Sequence, residues 1–382
     1  MIRELELINF KSHKNSTLKM GNLTLLCGSN GVGKSSAIQA TLLLRESFLG
    51  NSNFDYLDLK SNPINIGTAK DAIYEFAESN AIGINVQTDN IKLEYRFEAV
   101  KESDLVKTLM KKSEEFDHIS DKELLSKENL FDKHCQFISA ARMGPQAIYQ
   151  KDDVVVGIYN QISVLEGRAE HFVHFLMENA DMDVLESLRN NNIDSTDLFY
   201  QTTAWEREIS EGVNIIVEDI GNLGYELKYQ FSTESKEGRT AAFKSINVGF
   251  GLSYVMPILV AILSAPSGAL IFIENPEAHI HPNGQAKLAE LICLAAQAGV
   301  QLVVETHSDH IVNGILVQSK RFEETSKGID KALVSIYHFE RNEIEHLSVP
   351  TKIKIEEGGK IKYAPKGFFD QFTIDRKFLM GF

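Results

Sequence analysis

The chain predicts an α/β fold: a mixed, mostly parallel core sheet, an antiparallel β part near the N-terminus and a helical insertion in the middle. Three segments carry that prediction. Leu23 to Cys27 (LTLLC) is a short apolar run followed by a glycine-rich turn and a helix-spaced stretch. Leu270 to Glu274 (LIFIE) and Val300 to Glu305 (VQLVVE) each end in a carboxylate, then a polar cluster and a helix pattern. Buried strands that alternate with helices in this way build parallel sheets.

In chain order, Met1 to His13 (MIRELELINFKSH) alternates apolar and polar residues and reads as a strand, without the apolar h-region of a signal peptide. The first apolar run leads into Gly28-Ser29-Asn30-Gly31-Val32-Gly33-Lys34-Ser35-Ser36, which fits G-x-x-x-x-G-K-[ST] between strand and helix. Such a loop turns consecutive N–H groups toward one anion, and the helix N-terminus adds partial positive charge. Lys34 is expected to reach the β- and γ-phosphates, and the Ser35 hydroxyl to ligate magnesium. Residues 51 to 97 mix alternating runs with turns; Ala81–Val86 and Ile91–Phe97 read as strands joined at Thr88-Asp89-Asn90. From 101 to 133 the chain is strongly charged, and Leu105, Leu109 and Met110 predict a helical stripe. Phe137 to Ala140 reads as a strand closed by a breaker at Gly144-Pro145.

Ile162 to Gly212 has a largely helical pattern with a polar break over 190–197 and no sustained heptads. Val213–Glu218 and Tyr225–Phe231 read as strands, and 232–240 as a polar loop. A glycine-rich turn then precedes a helix over Ser253–Leu263. Helices over Gln285–Gln297 and Asp309–Gln318 follow the two carboxylate-ended strands. The expected organisation is one unit over 1–382, with core lobes of about 1–155 and 213–382 and the helical insertion over about 160–212.

Composition narrows the class. The 382 residues are 43% hydrophobic and 24% charged, as in an ordinary globular protein. No apolar run approaches the roughly 20 residues that cross a bilayer, so no membrane is expected. A net charge of −14 argues against a generally basic nucleic-acid surface, and the lysines of 101–112 and 352–366 are interrupted by glutamates. Cys27, Cys135 and Cys293 are far apart without CxxC spacing, the pattern of reduced core thiols in a cytoplasmic protein.

The strand ending at Glu274 continues as Asn275-Pro276-Glu277 and a pair of histidines. A carboxylate at the end of a buried strand is suited to hold magnesium beside a triphosphate. Thr306-His307-Ser308 closes the other strand, where ligands bind in open α/β sheets, so His307 is placed to contact a γ-phosphate or attacking water. Asn247-Val248-Gly249-Phe250-Gly251 sets two glycines ahead of a helix, a second place for N–H groups to meet an anion.

Together these segments resemble the P-loop heads of the ABC-type ATPases found in chromosome-maintenance, recombination-repair and overcoming-lysogenization-defect proteins. The segments are IRELELINFKSH, the phosphate loop, SAARMGP, NVGFGLSYVMPIL, IENPEAHIHP, ETHSDHIVNGI and KYAPKGFFDQF. The last four look like a prokaryotic AAA/ABC group often encoded in antiphage defence operons beside an effector gene. The resemblance implies a head-to-head dimer with two ATPs sandwiched, each phosphate loop facing the other subunit's glycine-rich signature. Here Asn247 to Ser253 replaces the usual LSGGQ, and Asn247 stands where a serine would contact the γ-phosphate. His307 corresponds to the switch histidine, and Gln136 or Gln146 to the Q-loop glutamine.

In this resemblance Glu274 takes the magnesium position and Asn275 that of the usual catalytic glutamate. An amide cannot accept a proton at neutral pH and so is no general base. Three readings follow: Glu277 is the base, His307 and Asn275 only position water, or the chain binds ATP and turns over very slowly. Slow hydrolysis assisted by Glu277 is expected. No DxD-spaced acidic cluster follows the second strand, so a nuclease or toxin effector is expected on another polypeptide. The competing expectations are an ATPase acting directly on DNA and a non-hydrolysing nucleotide-binding scaffold.

Overall fold

The computed structural model describes residues 1–50, 54–100, 102–113, 121–234 and 238–381. The first part of the chain forms β1 (Ile2–Phe10), β2 (His13–Lys19), β3 (Leu23–Gly28), α1 (Lys34–Gly50) and β4 (Tyr56–Asp58). The short α2 (Ala69–Ala72), β5 (Ala81–Thr88), β6 (Lys92–Glu98), β7 (Leu105–Ser113), α3 (Asp121–Leu125) and β8 (Cys135–Ile138) follow. The middle holds α4 (Phe172–Glu178), α5 (Leu198–Ile209), β9 (Val213–Asp219), β10 (Tyr225–Phe231) and β11 (Phe243–Lys244). The last part is α6 (Phe250–Leu263), β12 (Leu270–Glu274), α7 (Pro282–Gln297), β13 (Gln301–Thr306), α8 (Asp309–Thr325), β14 (Val334–Asn342), β15 (Leu347–Ile353) and α9 (Gln371–Leu379).

The central sheet has the order β15-β14-β3-β13-β12-β8. Every pairing in it is parallel except β15 on β14. A second sheet, β2-β1-β5-β6-β7-β4, is antiparallel, and β11-β10-β9 make a third. The apolar runs of β3, β12 and β13 are explained by burial on both faces. Leu25, Ile271, Ile273, Leu302 and Val304 enter one apolar cluster with residues of α4 to α8. Their strand neighbours Leu26, Leu270, Phe272 and Val303 enter the other, with α1 and the antiparallel sheet. Alternation along each strand thus feeds two cores at once.

The β5–β6 hairpin, β9, β10, β12 and β13 lie where the pattern predicts them. Elsewhere the structure differs. The expected N-terminal strand breaks at Lys11 and Ser12 into the β1–β2 hairpin. The charged stretch after 101 holds a strand, β7, rather than a helix. It pairs with both β6 and β4, and Leu105, Leu109 and Met110 are exposed while Val106 is buried. Sheet partners distant in sequence outweigh a weak local stripe there. Residues 51–53, 101, 114–120 and 235–237, from segments read as turns, helix and loop, lie outside the described residues.

The insertion is less helical than its pattern. Only α4 and α5 are α-helices, because polar side chains capture backbone groups between them. Glu170 accepts the amides of Val164 and Leu165, and Asn190 accepts that of Asn192. Helix α6 begins at Phe250, three residues before the expected start, and α8 continues past Gln318 to Thr325. All three cysteines are free and buried, and burial pushes each thiol up, that of Cys135 to about 11.

Candidate functional site

Strands β3, β13 and β12 are adjacent and parallel, so their carboxyl ends open on one edge of the sheet. Thr306 is in register with Cys27, and Glu305 with Glu274. The phosphate loop, the Thr306-His307-Ser308 corner and the Asn275–His281 segment therefore leave the sheet side by side, where α/β folds bind ligands.

Contacts from both ends of the chain fix the phosphate loop. Gly28 has φ +137°, and a Cβ there would stand 2.4 Å from the Phe339 carbonyl oxygen. Gly33 has φ +96°, and a Cβ there would meet Ser348 Oγ at 2.1 Å. Only glycine satisfies both conditions. The buried His13 lies with Nε2 2.9 Å from the Gly33 carbonyl oxygen and Nδ1 2.9 Å from Ser16 Oγ. A carbonyl only accepts, so Nε2 carries the proton and Nδ1 accepts from the hydroxyl. Burial lowers this imidazole to about 4 although the Gly33 carbonyl favours the charged form. Ser348 Oγ donates to the Val32 carbonyl at 2.7 Å and lies 2.6 Å from Ser12 Oγ.

Among the described residues, the amides of Asn30, Gly31, Val32 and Gly33 have no hydrogen-bond acceptor. Ser29, Asn30 and Gly31 form the exposed crest of the loop, and Ser35 and Ser36 open α1. Lys34 is buried, donates to the carbonyls of Gly28 (3.1 Å) and Ser29 (2.6 Å), and pairs with Glu305 at 3.6 Å. Burial lowers its ammonium, with Glu305 opposing that shift.

Three carboxylates converge here. Glu274 Oε2 accepts from the Ala140 amide (2.9 Å) and Ser139 Oγ (3.3 Å). Burial, with the like charge of Glu305, raises its carboxyl against the bond from Ala140. Glu305 is buried, and among the described residues its Oε2 has no hydrogen-bond partner. Glu277 accepts from Thr306 Oγ1 at 2.8 Å and from the His307 amide at 2.7 Å, one bond to each oxygen. Two donors fix its position against the second strand. Burial lowers the His307 imidazole, and Lys34 adds to the effect.

Asn275 turns the chain to bring Glu277 back. It has φ +47°, a left-handed conformation that asparagine tolerates better than most residues. Its amide donates to the Glu305 carbonyl at 2.8 Å. Its own carbonyl, with those of Glu274 and Tyr254, accepts from the buried guanidinium of Arg142 at 2.8 to 2.9 Å. Arg142 also lies over the Tyr254 ring, 4.0 Å from its centroid, and burial lowers it to about 10.

The glycine turn stands apart from this cluster. Asn247 and Gly249 are exposed, and neither they nor Gly251 hydrogen-bond to Gly28–Ser36. The turn packs instead on the segment after β12. A Cβ on Gly251 would stand 2.3 Å from the His279 carbonyl oxygen, and the Phe250 and His279 rings are 4.6 Å apart.

Known proteins share both halves of this arrangement. Residues 1–153 match a family described as "AAA ATPase domain", and residues 157–313 one described as "AAA domain, putative AbiEii toxin, Type IV TA system". Most of the chain therefore matches AAA-family ATPase domains. Residues 329–378 match "Protein of unknown function (DUF3696)". The fold resembles a crystal structure of the Smc head bound to the C-winged helix domain of ScpA, with TM-score 0.55, 14% identity, and 93% of this chain and 98% of that chain covered. It also resembles an Smc head with an extended coiled coil bound to the C-terminal domain of ScpA, derived from Pyrococcus furiosus, with TM-score 0.52, 13% identity, and 99% of both chains covered. A search of curated proteins finds no match.

In this ATPase the donor set fits a nucleotide with magnesium. The loop amides face no protein acceptor, while the Ser35 hydroxyl and Glu274 Oε1 have no hydrogen-bond partner among the described residues. Among those residues no three His, Cys, Asp or Glu side chains group to hold a metal alone. Magnesium at a triphosphate needs only one or two protein oxygens, since phosphates and water fill the rest. The structure brings together Lys34, Glu274, Glu277 and His307, and leaves Asn247, Gly249 and Gly251 outside.

Neither glutamine lies at Glu274: Gln136 bonds the Asn160 carbonyl and the Ile162 amide, and Gln146 the Gly144 carbonyl. Ser139 and Ala140 take that place. Arg142, His13, Ser348 and Thr306 were without assigned roles. Arg142 lies in SAARMGP, His13 in IRELELINFKSH and Thr306 in ETHSDHIVNGI, while no motif points to Ser348. No helix among the described residues is long and apolar enough to cross a membrane.

Proposed function

We propose that two copies of this ATPase close head to head around two ATP molecules and reopen on slow hydrolysis. The nucleotide state would control a separately encoded effector, a nuclease or toxin, in bacterial antiphage defence. The observation that carries this reading is the split site: phosphate loop and carboxylates converge in one chain, while the glycine turn faces outward. A second copy supplies the missing turn. The AbiEii-like match supports the defence setting, and Smc heads that hold a ScpA domain support a head that engages another polypeptide. The whole chain, 1–382, acts as one head in this reading, with lobes of about 1–155 and 213–382 around the insertion.

The loop amides and Lys34 bind the phosphates, and Ser35 and Glu274 are the magnesium ligands. Magnesium, when bound, offsets the charge on the transferring phosphate. Glu277 is the general base: its carboxylate accepts the proton of the attacking water while Thr306 and the His307 amide hold it in place. Asn275 shapes the turn and takes no proton. His307, kept neutral by burial and Lys34, donates its N–H toward the γ-phosphate.

Light scattering with and without ATP and magnesium tests the switch. Mass should double with ATP, remain doubled in Glu277→Gln and stay monomer-like in Lys34→Ala. A mass indifferent to ATP in both wild type and Glu277→Gln overturns it. Salt-sensitive DNA binding that stimulates hydrolysis would instead favour direct action on DNA.

A further inference from the structure

One short segment, Ser139 to Gln146, touches both halves of the split site. On one side it holds Glu274: the Ala140 amide and Ser139 Oγ donate to its Oε2. On the other side it brackets the glycine turn. Ahead of the turn, Ser245 Oγ donates to the Gln146 carbonyl at 2.7 Å. Behind it, Tyr254 Oη donates to the Ala140 carbonyl at 2.5 Å. The Phe250 ring fills the space beside Gly144, where a Cβ would stand 2.2 Å from Phe250 Cζ.

Arg142 lies at the centre of this segment. Burying a cation is costly unless its donors find partners, and all of this one's hydrogen bonds go to main-chain carbonyls. Nε donates to Tyr254 at 2.9 Å, Nη1 to Ser139 at 3.1 Å and Glu274 at 2.8 Å, and Nη2 to Asn275 at 2.9 Å. The acceptors belong to the segment itself, to the start of α6 and to the end of β12. The Tyr254 ring adds a cation–π contact from α6. A planar fork fixes these pieces in one geometry that lysine does not reproduce.

The end of β12 carries Glu274, which serves the chain's own nucleotide, and the start of α6 carries the turn. We propose that Ser139–Gln146 seats the glycine turn for the second copy's nucleotide while resting on Glu274 of its own chain. Arg142 is then a positioning residue shared by both ATP sites of the pair. This rests on the two-copy reading above and adds the element that ties one site to the other.

Phosphate release from mixed variants tests it, with ATP affinity measured on each chain alone. Lys34→Ala and Gly251→Ala, each damaged in a different half, are the reference partners. Gly144 has no positive φ and the Phe250 ring is 45% exposed, so Gly144→Ala displaces the ring without straining the backbone. It should lower kcat on the order of 10²-fold at near wild-type ATP affinity. Mixed with Lys34→Ala it should regain activity, and mixed with Gly251→Ala it should not. Tyr254→Phe, which loses the bond to Ala140 but keeps the ring, should fall in the same group with a smaller loss. Arg142→Lys should bind ATP yet regain activity with neither partner. Wild-type kcat in Gly144→Ala overturns the proposal, as does recovery of Arg142→Lys with either partner. So does a Gly144→Ala and Tyr254→Phe pair that recovers with Gly251→Ala or fails to recover with Lys34→Ala. The mixture of Lys34→Ala with Gly251→Ala is the control: its inactivity would sink the two-copy reading and this proposal with it.

Discussion

The phosphate loop and the glycine turn of Asn247–Gly251 are both glycine-rich and both run into a helix, yet the molecule treats them oppositely. The loop is locked: His13 holds Gly33, Ser348 holds Val32, and Gly28 and Gly33 leave no room for a Cβ. The turn rests on the His279 backbone, and its outer residues Asn247 and Gly249 are exposed. One half of the site is preorganised within the chain, which serves electrostatic catalysis because oriented donors need no rearrangement. The other half is presented outward, which suits a contact made and broken with another copy.

The strongest way to break this contrast is to damage each half separately. Lys34→Ala should reduce hydrolysis by on the order of 10³-fold, since the cation facing the transferring phosphate is lost. Gly251→Ala, whose Cβ collides with the His279 carbonyl, should also reduce hydrolysis but leave ATP affinity near wild type. Mixing the two inactive variants should recover activity, because one of the two sites in a mixed dimer is then intact. Failure of the mixture to recover any phosphate release would place both halves in one chain.

Next in size is Glu277→Gln, whose amide oxygen can still accept from the His307 amide while its NH2 donates to Thr306 Oγ1, but which cannot take a proton. Single-turnover hydrolysis should slow by about 10²-fold or more, with ATP binding retained. Unchanged chemistry in that variant would remove Glu277 from the base role.

The parts of the site that were legible are those whose evidence is local. The phosphate loop declares itself because strand, glycines, lysine and helix are contiguous, and Glu274 and Glu305 because each closes an apolar run. What escaped depends on contacts between distant residues. Ser348 reaches Val32 across 316 positions, and Arg142 reaches Glu274 across 132. Strand β7 escaped similarly, since β6 and β4 make it a strand against its own spacing. The insertion misled differently, as Glu170 and Asn190 bond backbone that its pattern would have coiled.

The bracing of the loop has a pH signature. The folded pKa of His13 is depressed to about 4 from an unfolded value near 6.5. Between these values the unfolded chain binds a proton that the native chain does not, so stability falls as pH falls through that window. The loss should be about 2 kcal/mol between pH 7 and pH 5. Chemical denaturation of His13→Asn, which retains a donor for Gly33 without titrating, should show a flatter profile by that amount. Parallel profiles for variant and wild type would mean the imidazole is protonated in the fold.

The smallest effect concerns the asparagine beside the magnesium carboxylate. Restoring the glutamate usual in such heads, Asn275→Glu, should not accelerate hydrolysis. At φ +47° the backbone turns here and Arg142 holds the carbonyl, so the returning strand end faces Glu277 rather than residue 275. The variant should lose about 1 kcal/mol of stability, because glutamate tolerates the left-handed region less well than asparagine. Asn275→Gly should lose none on that account, since glycine adopts this conformation freely. A rate gain in Asn275→Glu would return the base to the position after Glu274 and leave Glu277 a brace for Thr306 and His307. The pair of variants therefore separates two uses of one residue, as the hinge of the turn and as a site for proton transfer.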